Sequence, residues 1–358
     1  MNLKILFLSL SLLLILGCSS QQGTLKIGVI LPLSGPAAIW GENIRNGMEL
    51  ARIDLEQGGI HTQILYEDSQ ANAQTGLSAY QKLKNVDNVD VVVSVFSRVS
   101  IPLISLADND KMPLIMTMVS AKGVTEKSPY AFRFYSDETQ YTYPHLNKLP
   151  KNESLAFLYI NDEFGTAVME ATRAKAKELN IAVVAEEPFD PNSADFRTQL
   201  IKISAKSPTN ILFIGAVPSE VINALKQVRE LDLPFKFIEG SPNLAVSSVR
   251  SAVKEEAEGT WTIAYAFDIG EADSDFKKNY FEKYGQEPLN PATLGYDLVK
   301  LLTKASTGEK MSGYALVNSI LQLKSFDSLG GNIPILPNRE INPPTYSVKI
   351  VNGELVKN

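Results

Sequence analysis

Two serines stand where an apolar run gives way to a helical pattern. Ser97 lies in "SVFSRVS" (94–100) and Ser120 in "TMVSAKG" (117–123). A hydroxyl beside the free N–H groups of a helix start suits a carboxylate. Serine also favours turns for local reasons, so two at neighbouring strand ends carry more weight than one. A third loop, "LPLSGPAAIWG" (31–41), holds the same kind of position after the first apolar run. It has a glycine-bearing turn but no G-x-G-x-x-G and no Gly-Lys-Ser/Thr, so nucleotide binding is not indicated.

Reaction chemistry is sparse. His61 and His145 are the only histidines, and neither H-E-x-x-H nor G-x-S-x-G occurs. Ser251-Ala-Val-Lys254 has the S-x-x-K form without its companion motifs, which reads as chance. The acidic pairs Asp162-Glu163 and Glu255-Glu256 read as solvated helix faces. No enzyme, cofactor or metal site is expected.

Cys18 is the single cysteine of 358 residues. Before it come a short positive start at Lys4, an apolar stretch over 5–16, and the small Gly17. That is a secretory signal layout, too short for a spanning helix of about 20 residues. Ile15-Leu16-Gly17-Cys18 resembles the bacterial lipobox. This implies removal of residues 1–17, acylation of Cys18, and a lipidated tether over 18–24. The expected location is the cell envelope, on the periplasmic or extracellular face. The body that remains would be free of thiols and disulfides.

The runs "LKIGVIL" (25–31), "TQILYE" (62–67), "VDVVVSV" (89–95), "PLIMTM" (113–118), "SLAFLYI" (154–160), "IAVVAEE" (181–187), "NILFIGA" (210–216) and "FKFIEG" (235–240) are mostly continuous rather than alternating. Continuous runs suit strands buried on both faces of a parallel sheet. Helical stripes lie between them: Ile44, Met48, Ala51 and Leu55, then Val221, Leu225, Val228 and Leu231. A later helix over 290–305 is expected to start with Asn290 as N-cap and Pro291 at its first position. Alternation of this kind predicts an α/β fold, and its restart at Ser154 predicts two doubly wound lobes. The length also favours two domains. A composition of 44% hydrophobic and 21% charged residues is ordinary for a globular chain. The net charge of −6, with no basic stripe, argues against nucleic acid as a partner.

In order, "IGVILPLSGPAAIWG", "GGI", "YEDSQANAQTGLSAYQKL", "SPYAFRF", "DEFG", "GYDLVKLL" and "PNREINPPTYSVKIVNGELV" resemble the type I periplasmic solute-binding proteins of the branched-chain amino acid transporter family. The resemblance implies two α/β lobes joined by three crossings. The first lobe would be 25–137 plus 267–327 and the second 138–266 plus 328–358. The crossings would fall near Ser136–Asp137, Ala266–Phe267 and Asp327–Leu329. It implies a ligand carboxylate held by Ser97, Ser120 and the Met118 backbone, with Trp40 and Tyr296 as aromatic contacts. On the second lobe the family's positions fall on Phe164, Val217 and Ser241, in place of two tyrosines and the acidic partner of the ligand's ammonium. Glu239, two residues earlier, is the other candidate for that charge. Without it, a ligand lacking the ammonium is expected to bind better than a zwitterion.

The function so implied is delivery of a small carboxylate- or amide-bearing solute, an amino acid or analogue, to the membrane permease of an ABC transporter by hinge closure. The alternative is a lipoprotein on the same fold that regulates cell-wall synthesis or acts as a sensory receptor.

Overall fold

The structure, a computed structural model, describes residues 23–270 and 274–357. Cys18 and the signal-like segment lie outside the described residues. Among those described, no helix is long and apolar enough to cross a membrane.

The first lobe begins β1 (Leu25–Leu31), α1 (Ala38–Gln57), β2 (Thr62–Asp68), α2 (Ala73–Asn85), β3 (Val91–Val95), α3 (Ser97–Asp110), β4 (Leu114–Thr117) and β5 (Ala131–Phe134). The second lobe follows with α4 (Tyr143–Leu146), β6 (Ser154–Ile160), α5 (Glu163–Glu178), β7 (Ala182–Phe189), α6 (Arg197–Ser204), β8 (Asn210–Ile214), α7 (Pro218–Glu230), β9 (Lys236–Glu239), α8 (Ser247–Ala252) and β10 (Trp261–Tyr265). The chain then returns through α9 (Ser274–Tyr284), α10 (Asn290–Ser306), α11 (Gly313–Gln322), the hairpin β11 (Ser325–Ser328) and β12 (Gly331–Pro334), and β13 (Glu340–Ile341). It ends in the second lobe with β14 (Thr345–Val351) and β15 (Glu354–Lys357).

The sheets run β13-β5-β4-β3-β1-β2 and β15-β14-β10-β9-β8-β6-β7. Every pair in the first is parallel; in the second, β14 and β15 add antiparallel pairs at one edge. Inner strands such as β3, β4 and β8 are buried at every residue, as continuous apolar runs require. Edge strands β2 and β7 are only partly buried, because one flank of each has no neighbouring strand. β5 and β10 are not among the expected strands: buried Arg133 and Thr262 interrupt their apolar runs.

The third crossing differs from the expected one. β13 pairs in parallel with β5, so Glu340–Ile341 belong to the first sheet and the chain crosses at residues 342–344, not at Asp327–Leu329. Arg133 fixes this strand: its Nε donates to Glu340 at 2.6 Å, and Thr125 donates to the other carboxylate oxygen. Ser136 links the three crossings through its hydroxyl, which contacts Tyr265 Oη at 3.1 Å and the Pro343 carbonyl at 3.2 Å.

α1 and α10 pack closely on the first lobe. A Cβ on Gly47 would stand 1.9 Å from the Ala292 carbonyl, and one on Gly295 would stand 2.1 Å from that of Ile44. Both glycines are therefore needed for the approach. Leu294, Leu298, Leu301 and Ala305 are buried as the stripe predicts. Asn290 is not the cap: Leu289 precedes the first turn, and Asn290 instead accepts the Thr293 hydroxyl inside it.

Candidate functional site

In both sheets the parallel strands end toward the same cleft, which is where an open α/β sheet places ligands. The partly open cavity there measures about 60 Å³, room for several waters. Its first-lobe wall includes Trp40, Phe96, Ser97, Arg98 and Met118, with Asn290 and Pro291 from the start of α10. Asp162, Phe164, Ala216, Ser241 and Asn243 form the second-lobe wall. Tyr135, Tyr141 and Asp268, on or beside the crossings, complete it.

The two strand ends on the first lobe are bent hard. Phe96 and Met118, both non-glycine, sit at φ 72° and 52°. Such conformations cost on the order of 1–3 kcal/mol each and gather where a site must be aimed. The bend at Phe96 starts α3 at Ser97, so the first N–H groups of that helix stand at the cavity without intrahelical partners. Ser97 Oγ is buried and makes no hydrogen bond within the protein.

The lobes touch across the cavity. Trp40 Nε1 donates to the Ala216 carbonyl at 3.3 Å. Arg98, on α3, pairs with Asp162 at 3.1 Å. Asp162 is the N-cap of α5, accepting from the backbone of Phe164 and Gly165, and Phe164 packs edge-on to Tyr141 at 5.8 Å. Burial pushes the Asp162 carboxyl above its ordinary range; the Gly165 N–H, Arg98 and the Phe164 N–H pull against that. Its reading as a solvated face is thus corrected: in sequence a capping aspartate looks like a surface one, and only the facing lobe supplies Arg98.

Of the residues singled out in sequence, Trp40, Ser97, Met118, Phe164 and Ser241 line the cavity. Three do not. Ser120 is fully buried beyond the wall, facing the Tyr141 hydroxyl without a bond of normal geometry. Val217 turns into the second-lobe core with Val221 and Phe213, and Ala216 takes its place. Tyr296 lies six residues beyond the cleft end of α10 and turns toward α1, donating to Asp54 at 2.7 Å. Pro291 holds the cavity position on that helix.

Glu239 is also committed elsewhere. It is buried, accepting from the backbone of Asn243 and Leu244 at 3.1 and 2.9 Å and from Thr262 at 2.7 Å. Burial pushes its carboxyl up to about 7 against those bonds. It shapes the loop that presents Ser241 and Asn243, and it does not line the cavity. Sequence reasoning missed Arg98, Asn243, Asp268, Tyr135 and Tyr141. Arg98 follows Ser97 directly, and that adjacency was the one available signal.

Two α/β lobes joined by three crossings, closing on one small cavity, define a hinged two-lobed binding protein. A sequence model of the periplasmic binding protein family matches residues 24–354, and the chain belongs to that family. It is similar to Leu/Ile/Val-binding protein homolog 2 of Brucella abortus, 25% identical over 245 residues, which are 66% of this chain and 65% of the relative. The match therefore spans just under two thirds of that relative's length. Homolog 7 of Brucella suis is 20% identical over 332 residues, 86% of this chain and 83% of that one. Among solved structures, the branched-chain amino acid transporter substrate-binding protein LivJ of Streptococcus pneumoniae, in complex with isoleucine, superposes with a TM-score of 0.81 at 22% identity, covering 94% of this chain and 100% of that one. A solute-binding protein of Rhodopseudomonas palustris in complex with benzoate gives 0.83 at 19%, covering 94% and 95%. At these identities the likeness shows the fold.

Proposed function

We propose that this protein is a lipid-anchored extracytoplasmic binding protein that captures a small carboxylate-bearing solute and presents it, lobes closed, to an ABC permease. One observation carries the solute class: the buried, unpartnered Ser97 hydroxyl at the start of α3, with the Arg98 guanidinium beside it. A buried hydroxyl without a partner costs about 1–3 kcal/mol, and a bound carboxylate removes that cost. Two structural neighbours point the same way, since one holds isoleucine and the other benzoate.

Ligand docking on the first lobe followed by hinge closure is the transition this architecture supports. The permease partner and the anchor at Cys18 belong to the same reading. They rest on family membership and on the lipobox-like Ile15–Cys18, respectively.

Calorimetry against amino acids and small carboxylates tests the proposal. A solute of this class should bind, and Ser97→Ala should weaken it about tenfold or more, since a hydrogen bond to a charged group is worth roughly 1.5–3 kcal/mol. Absence of binding to every such solute would move the assignment to the regulatory alternative.

A further inference from the structure

Among the described residues, the charged side chains lining the cavity are Arg98, Asp162 and Asp268. The first two neutralise each other at 3.1 Å. Asp268 is left over. One of its oxygens accepts the Tyr265 N–H at 2.9 Å, and among the described residues it forms no ion pair. The cations whose fields reach it are Arg250 and Lys277. Both are engaged with other groups: Arg250 donates to the carbonyls of Leu244, Ala245 and Gly353, and Lys277 to that of Phe267. Burial accordingly pushes the Asp268 carboxyl up to about 7.

The cavity thus has two unmet demands: a hydroxyl donor with no acceptor at Ser97, and at Asp268 a carboxyl that no cation among the described residues pairs directly. A plain carboxylate meets the first and adds a second negative group without a direct partner to a confined space, which is unfavourable. A solute with a positive group as well meets both.

We propose that Asp268 is the residue that reads a positive charge on the bound solute. It does so from the segment joining β10 to α9, in place of an acidic residue on the second lobe, where Ser241 is neutral and Glu239 is turned away. The inference rests on the reading of this cavity as the solute site. It places the selection for charge on one of the three crossings between the lobes.

The test uses purified protein, its Asp268→Asn and Ser97→Ala variants, and a panel of amino acids each paired with its deaminated analogue, such as L-leucine with 4-methylpentanoate and L-phenylalanine with 3-phenylpropanoate. Asparagine keeps an acceptor for the Tyr265 N–H, so the turn should survive; an unchanged melting temperature checks this. For a pair that binds, the amino acid should bind the parent at least tenfold more tightly than its analogue. Asp268→Asn should lose at least tenfold for the amino acid and leave the analogue unchanged or tighter. If the analogue binds the parent as well as the amino acid does, or if Asp268→Asn leaves both affinities unchanged, the role of Asp268 is overturned while solute binding stands. Binding of neither member of any pair overturns both readings.

Discussion

The ion pair between Arg98 and Asp162 should hold the closed form together, and its contribution can be estimated. At an effective dielectric of about 20, charges about 4 Å apart attract by about 4 kcal/mol. Desolvation opposes this: the two side chains keep only 24% and 8% of their exposure. The Asp162 carboxyl stays above its ordinary range even with Arg98 beside it, so burial takes back most of the gross attraction. A net contribution of about 1–2 kcal/mol remains, between exposed pairs and fully desolvated interface pairs. Losing it should shift the closed-to-open ratio roughly five- to thirtyfold toward open. Asp162→Asn removes the charge but keeps a good N-cap for α5, so the helix itself should be spared. Arg98→Met removes the partner.

The body beyond Cys18 contains no other cysteine, which makes labelling clean. With Cys18→Ser, dyes on cysteines placed at Val86 of the first lobe and Ile201 of the second, 69% and 57% exposed, report the lobe separation by single-molecule energy transfer. Each single variant should open the protein, and the double variant should be no more open than either. Two effects that add, or a ratio that neither change moves, would refute the latch.

Two further outcomes are expected. Mass spectrometry of the membrane fraction should find acylated Cys18 as the first residue, and Cys18→Ser should release or stall the protein; an unmodified N-terminus elsewhere would remove the anchor. His145 is buried, shares Nδ1 with the Ser347 hydroxyl at 2.9 Å, and has its pKa lowered by burial from 6.5 to about 3. Between those values the unfolded chain binds the extra proton, so this group's contribution falls as the pH drops below 6.5, by roughly 3 kcal/mol between pH 7 and 4.5. Glu239 and Asp297, raised to about 7 and about 8, act in the opposite direction, so the comparison must be with His145→Gln. The stability gap between parent and variant, measured by urea unfolding, should narrow on acidification; a constant gap would count against the buried neutral imidazole.

Much of the framework was written in local pattern. Continuous runs such as 25–31 and 154–160 became strands at those bounds, because nearly every position of a strand buried on both faces is apolar. The stripe over Leu294–Ala305 became the buried face of α10 for the same local reason. Ser97 was legible as a cavity residue because it follows a strand end, and in a parallel sheet those ends converge, while Met118 came from the family resemblance. Direction around an element was not legible. Tyr296 and Pro291 share a helix, yet only packing against α1 decided which faces the cleft. Val217 and Ala216 are adjacent, and the core took the larger apolar side chain. The charges were the least visible. Asp162 gains its partner from the other lobe 64 residues away in sequence, Glu239 is consumed by its own loop, and Asp268 faces the cavity only because the second crossing bends there. Local sequence fixes period and burial. Which charge meets which is decided by lobes brought together from distant parts of the chain.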